Sequence, residues 1–165
     1  MSEGAEPAGT GGVPDNTNVV IRPPIAWALA VLAGLALDWL HPLRLMPWSM
    51  TLIVLGIAVF ALAVALLISA VITIRRAGTH VATHLPTTRI VHSGPYRFSR
   101  NPIYLAMMVG LVGLSIAFNS LWVLAMLVPF FLVIRYGVVA REEAYLERKF
   151  GDIYRLYRSR VRRWL

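Results

Sequence analysis

The sequence predicts an all-α fold: a multi-pass transmembrane helical bundle of about four spans, closed by a C-terminal interfacial amphipathic helix. Three observations predict it. Residues 51–74 carry no charged side chain, and about twenty consecutive apolar residues suffice to cross the hydrocarbon core of a bilayer. Hydrophobic residues make up 58% of the 165, and mean hydropathy is +0.66, more apolar than a soluble domain requires. The arginines gather between and after the apolar stretches rather than within them.

The elements follow in order. Residues 1–22 are dominated by Gly, Pro and small polar side chains. They cannot bury enough apolar surface to offset the entropy of ordering and are predicted to be a disordered tail. They also lack the basic start of a secretory leader. Residues 23–165 are read as one membrane domain, because the length suits one compact unit. The first span covers about 25–40, with Asp38 near its end, and the second 51–74. His41-Pro42 and Pro47 interrupt the chain between them. The third, 103–118, is opened by Pro102, which suits the first turn of a helix. Only Asn119 and Ser120 separate it from the fourth, about 121–140, so the two are predicted to form a tight helical hairpin.

Along the third span Ala106, Gly110, Gly113 and Ala117 fall on one helical face, a small-residue stripe that lets helix backbones approach closely in lipid. Beyond the fourth span, Leu146, Phe150, Ile153, Tyr157, Val161 and Trp164 recur at steps of three and four, with arginines between them. That pattern predicts an amphipathic helix, broken at Gly151, on the membrane surface.

Net charge is +8. The connection 75–100 carries Arg75, Arg76, Arg89, Arg97 and Arg100 without an acid, and the region from 135 onward carries nine basic residues against four acids. Because Lys and Arg mark the cytoplasmic side, both termini and the long connection are predicted to be cytoplasmic. Charge distributed in this way speaks for topology rather than nucleic acid.

Several chemistries are excluded. No cysteine is present, so there is no disulfide, thiolate metal site or cysteine nucleophile. The phosphate- and dinucleotide-binding glycine loops are missing, as is GxSxG. His80 and His84 in "HVATH" have helical spacing, but without the Glu of HExxH or a third ligand they read as polar residues of the connection, and no metal is expected.

Two constellations remain. "TRIVHSGPYRFSRNPIY", residues 88–104, holds a Ser93-Gly94-Pro95 turn signal that folds Tyr96 and Arg97 toward the third span, whose N-terminus offers unpaired N–H groups to an anion. The alternative reading is an aromatic and basic anchor at the membrane surface. "REEAYLERKFG", residues 141–151, places Glu142 and Glu143 where the fourth span leaves the bilayer. They are read either as partners of Arg141 and Arg148 or as a carboxylate for a bound cation or ammonium. If the hairpin brings both stretches to one membrane face, donors for a carboxylate, aromatics for a flat ring and a Glu for an ammonium converge. That set suits a zwitterionic amino acid joined to a nucleoside, as in S-adenosylmethionine.

The joint pattern Gly-x-Tyr, Arg-x-Pro-x-Tyr, Glu-Glu and Phe-Gly-x-x-Tyr resembles the isoprenylcysteine carboxyl methyltransferase and phospholipid methyltransferase superfamily of integral membrane enzymes, over residues 75–165. The resemblance implies a helical, non-Rossmann methyltransferase whose C-terminal half binds S-adenosylmethionine at the cytoplasmic face and transfers a methyl group to a lipophilic or lipid-like acceptor. Carried over by position, Thr88, Arg89, Ile90 and Val91 line the cofactor, followed by Tyr96. Asn101, Pro102, Ile103 and Tyr104 hold it at the helix start, and Glu142 meets its amino group. The eukaryotic branch usually has His where Asn101 stands, and an arginine near the position of Val138. The competing reading is a non-catalytic membrane protein, an assembly factor or small transporter component. Transporters more often place ionisable residues mid-span, whereas Asp38 and Arg135 lie near span ends.

Overall fold

The structure, a computed structural model, describes residues 19–79 and 87–165. Most of the proposed tail, and His80 and His84, lie outside the described residues. The last residues of that tail are ordered: Val20 N–H donates to Gly137 O at 3.2 Å, and Val19 and Ile21 pack on the core.

The described residues are helical, with no sheet among them. Helix α1 is Pro23–Leu40, α2 is Met50–Arg76, α3 is Pro102–Ala117, α4 is Leu121–Phe150 and α5 is Asp152–Arg160. A 3₁₀ turn, Gly94–Arg97, precedes α3. Among the described residues, α1, α2 and α4 are long and apolar enough to cross a membrane. Helix α3 has 16 residues, a rise of roughly 24 Å at 1.5 Å per residue, short of the ~30 Å hydrocarbon core. Leucines, valines and isoleucines along α2, such as Val54, Leu55, Ile57, Leu62 and Ile68, are exposed, as lipid-facing residues are.

The small-residue stripe of α3 faces α2. A Cβ on Gly113 would stand 2.6 Å from the backbone nitrogen of Phe60, and one on Gly56 would collide with the backbone of Ala117. The two helices therefore touch backbone to backbone. On the other side, Trp27 Nε1 of α1 donates to Met107 O at 2.8 Å, and Gly34 lies against the backbone of Val123. The core between them holds Ala26, Tyr104, Leu111, Val123, Phe130, Ile134, Val138 and Val139.

At one pole, the turn between α3 and α4 interlocks with the α1–α2 connection. Asn119, at positive φ, accepts from Leu45 N–H and Met46 N–H at 3.1 Å each and returns a bond to Met46 O at 2.7 Å. Ser120 Oγ donates to Asp38 at 2.9 Å, and Arg44 pairs with the other Asp38 oxygen at 3.1 Å. Asp38 is thus a structural carboxylate of the turn.

The fourth predicted span continues unbroken to Phe150, well beyond residue 140, but not as ideal α-helix. Pro129 lies in its first half, and Val133–Val139 forms a π-helical stretch. The wider turn puts Ile134, Val138 and Val139 all inward, and sets the register in which Glu142 and Glu143 emerge. The break at Gly151 is present, at φ 51°. The inward face of α5 is Tyr154 with Tyr157, while Ile153, expected on the apolar stripe, is exposed.

Candidate functional site

Opposite the Asp38 pole, five short pieces of chain converge: the end of α2, residues 87–91, the 3₁₀ turn, the start of α3, and the α4–α5 corner. The Ser93-Gly94-Pro95 turn forms as the sequence indicates. Gly94 has φ +55°, and a Cβ there would meet Thr73 Oγ1 at 2.8 Å, so glycine both permits the turn and lets it lie on α2. Tyr96 is thereby buried. Its carbonyl accepts from Tyr157 Oη at 2.9 Å, which ties the turn to α5.

Between these pieces lies a cavity of about 140 Å³ walled by charged and phenolic side chains together with aliphatic ones, more polar than the one between α1, α2 and α3. Of the residues singled out in the sequence, Arg89, Ile90, Val91, Tyr96, Asn101, Ile103, Tyr104 and Glu142 line it. Thr88 does not: its hydroxyl donates to Gly78 O at 3.1 Å and its N–H to Thr79 Oγ1 at 3.0 Å, so it fastens the returning chain to the end of α2. Pro102 is buried in the first turn of α3, behind the wall.

Two carboxylates one residue apart have opposite surroundings. Glu142 Oε1 accepts from Tyr104 Oη at 2.5 Å, and no Lys or Arg among the described residues pairs with it. Glu143 takes two guanidiniums. Arg163 grips it through Nε at 2.9 Å and Nη2 at 2.6 Å, and Arg100 Nη1 lies 3.0 Å from Oε1. Arg100 also donates to Tyr154 Oη at 3.1 Å. Glu143 is therefore neutralised inside the protein, whereas Glu142 presents a carboxylate braced by one phenol. Fork-to-carboxylate pairing of this kind fixes geometry as well as charge.

The second guanidinium comes from a strap that the sequence did not reveal. After α5 the chain turns back, and residues 161–165 run past the start of α3. Arg100 N–H donates to Arg162 O at 3.0 Å, Asn101 Nδ2 to Arg163 O at 3.0 Å and Ser99 Oγ to the same carbonyl at 3.3 Å. Trp164 packs against Phe131 with ring centroids 5.5 Å apart. Val161 and Trp164 were expected on an amphipathic helix; they belong to this extended return. The Asn101 side chain, in the wall of the cavity, is committed to the strap. A histidine N–H can make the same bond, so Asn in this place needs no titratable function.

Burial, then the nearby Glu142 carboxylate, then Tyr157 raise the pKa of Tyr96 far above the ordinary tyrosine value. Burial likewise raises Tyr157, opposed by the Arg100 charge. Both phenols stay neutral at any physiological pH. The hydrogen bond to Glu143 raises the pKa of Arg163 further, so this cation is permanent.

A second cavity, of about 790 Å³, opens between α1, α2 and α3. Its walls are apolar and include Trp27, Phe60, Val64, Leu67 and Met107. Ile103 and Tyr104 line both cavities. A volume of this size lies within the range that encloses small ligands, roughly 300–1,000 Å³. The polar cavity is smaller, sized for one end of such a molecule.

Comparison with known proteins bears on this geometry. The family described as phospholipid methyltransferase matches residues 51–153, from α2 through the Glu142–Glu143 corner. An uncharacterized protein of Haemophilus influenzae is 47% identical over 64 residues, which cover 38% of this chain and the whole of that relative. The nickel-cobalt-cadmium resistance protein NccN of Alcaligenes xylosoxydans xylosoxydans is 33% identical over 66 residues, 40% of this chain but 31% of that protein. The similarity thus spans under a third of NccN. No solved structure matches. The family match covers more than half of the chain, including α2, α3 and α4 and most of the polar cavity's wall: this protein belongs to the phospholipid methyltransferase family.

Proposed function

We propose that this protein is an S-adenosylmethionine-dependent methyltransferase acting on a lipophilic acceptor within the membrane. The observation that carries this reading is the shared wall: Tyr104 and Ile103 separate a charged cavity from a large apolar one. In this arrangement α3 is a fourth, short span, and both termini, with the polar cavity, face the cytoplasm. The arginine distribution supports that orientation.

The residues present fit the methyl donor in two respects. Among the described residues, Glu142 is a carboxylate with no Lys or Arg partner, and Arg100 Nε is a buried donor without a hydrogen-bond partner. Residues Arg89, Ile90, Val91, Tyr96, Asn101, Ile103, Tyr104 and Glu142 would hold the donor's amino-acid end and what adjoins it, with Thr88 and Pro102 fixing the backbone that carries them. When bound, S-adenosylmethionine supplies an electrophilic methyl group on a sulfonium.

The chain's own part is then positioning. Glu142 takes an ammonium, and Tyr104 fixes which way its carboxylate points. Tyr96 and Tyr157 offer neutral phenols and no competing charge. The apolar cavity between α1, α2 and α3 receives the acceptor's hydrocarbon part from the bilayer and keeps water from the reacting atoms. Holding two reactants in near-attack geometry in a dry site accounts for a large share of a barrier, about 7–11 kcal/mol in well-oriented systems. Among the described residues, the Tyr104 phenol, which lines both cavities, and the Glu142 carboxylate bonded to it are placed to handle a proton there.

The test is incorporation of a radiolabelled methyl group into lipid extract by the purified protein in liposomes, followed by chromatography of the product. Labelled lipid that disappears with Glu142→Gln supports the reading. No labelled product from any lipid extract, at saturating methyl donor, contradicts it.

A further inference from the structure

We propose that Arg100 is the carboxylate-reading group of the polar cavity, complementary to Glu142, so that the site recognises a free α-amino acid end as a zwitterion. The inference rests on the reading of this cavity as the methyl-donor site, and it adds a residue and a selectivity to that site.

The argument begins with an unpaired atom. Arg100 lines the cavity with a side chain only 9% exposed. Its Nη1 is shared between Glu143 Oε1 at 3.0 Å and Tyr154 Oη at 3.1 Å, and its backbone N–H is used by the strap. Its Nε–H is buried and has no hydrogen-bond partner among the described residues. A buried donor on a charged group that is left unmade is costly, so its persistence here points to a ligand that completes it.

Charge placement says what that ligand is. Arg100 and Arg163 both lie on Glu143, so the guanidiniums there exceed the carboxylate by one charge. Glu142, the adjacent residue, has a phenol but no Lys or Arg partner among the described residues. The cavity is therefore negative at Glu142 and positive at Arg100; with Arg89 also in its wall, Arg89, Arg100 and Arg163 stand against Glu142 and Glu143, one net positive charge, and the two signs lie apart. A ligand carrying an ammonium and a carboxylate on one carbon matches both poles; a simple amine matches one.

Arg163 makes this division possible. Its bidentate hold on both Glu143 oxygens releases Arg100 from sole responsibility for that charge. Arg163 is itself placed by the strap, whose carbonyl accepts from Asn101. The strap thus acts on recognition through Arg100, and Arg163 is a positioning residue.

The experiment is isothermal titration of the full chain in detergent with two probes: S-adenosylhomocysteine, and its decarboxylated analogue, in which a 3-aminopropyl group keeps the ammonium and loses the carboxylate. The wild type is expected to bind the carboxylated probe about ten- to a hundredfold more tightly, the range expected for a hydrogen bond to a charged group. Arg100→Gln is expected to lose that preference while binding the decarboxylated probe nearly as wild type does. Glu142→Gln is expected to weaken both probes, since both carry the ammonium. Equal wild-type affinity for the two probes overturns the role of Arg100 and leaves the methyl-donor reading standing. So does an Arg100→Gln protein that keeps the preference, or one that loses both probes equally. Failure of the wild type to bind either probe overturns the methyl-donor reading itself and this inference with it. The wild-type comparison requires no variant, so a poorly folding Arg100→Gln protein does not shield the idea.

Discussion

Tyr104 and Glu142, on different helices and 38 positions apart in sequence, meet through a 2.5 Å hydrogen bond at the boundary between a polar and an apolar cavity. The bond links the start of α3 to the turn of α4 that carries Glu142. It also orients a carboxylate that no Lys or Arg among the described residues pairs with.

Glu142→Gln is predicted to weaken binding of an ammonium-bearing ligand by at least about tenfold, the lower limit for a hydrogen bond to a charged group. Tyr104→Phe removes the brace but not the charge, so its effect should be smaller in the same titration. A Tyr104→Phe loss exceeding that of Glu142→Gln would contradict the assignment of charge recognition to Glu142.

Glu143→Ala is predicted to be far more damaging to stability than Arg163→Ala. Removing Glu143 leaves Arg100 buried without its carboxylate, and breaking a buried pair costs about 3–5 kcal/mol. Removing Arg163, whose side chain is 28% exposed, leaves Arg100 to hold Glu143. Thermal unfolding in detergent at matched lipid content measures both. Equal midpoints would show that the buried guanidinium does not depend on Glu143.

Gly113→Leu is predicted to force α2 and α3 apart, because the new side chain would meet the backbone of Phe60. Overpacking of this kind costs about 1–3 kcal/mol or more. Unchanged thermal unfolding would mean that the two backbones are not in contact.

Val64→Phe, on the wall of the apolar cavity, is predicted to lower kcat/KM for a lipophilic acceptor while leaving the Kd for S-adenosylhomocysteine unchanged. An equal loss of both would place the acceptor elsewhere.

At alkaline pH the buried phenols should govern stability. Tyr96 and Tyr157 have folded-state pKa values raised by burial. Their contribution is complete below the unfolded value of about 10 and is lost progressively as pH rises from there toward their raised folded values. Stability measured by denaturant titration should fall above about pH 10, and Tyr96→Phe should make that fall shallower. An unaltered slope in Tyr96→Phe would show that its phenol ionises as freely folded as unfolded.

Much of this fold is legible in the sequence because lipid imposes simple rules. Uncharged runs mark α2, Pro102 starts α3, and the small stripe of α3 marks its contact face. That face meets α2, which a stripe alone does not specify. Tyr96, Tyr104 and Glu142 were singled out together through the family resemblance, and all three line one cavity. What was not legible depends on contacts distant in sequence. The pairing of Glu143 with Arg100 and Arg163, rather than with Arg141 or Arg148 nearby, requires the strap to return, and its apolar spacing imitates a continuing helix. The role of Asn101 is hidden for the same reason, because its partner is a backbone carbonyl of Arg163. The π-helical turn at Val133–Val139 leaves no periodic signature that an α-helical reading would notice.

The central claim is that the polar cavity binds a sulfonium methyl donor through Glu142. Isothermal titration of the purified wild-type and Glu142→Gln proteins with S-adenosylhomocysteine, in detergent and again in lipid nanodiscs, tests it most directly. The account predicts saturable binding to the wild type and a clear loss in the variant. No binding to the wild type at millimolar ligand in either medium, or equal affinity in Glu142→Gln, would contradict it.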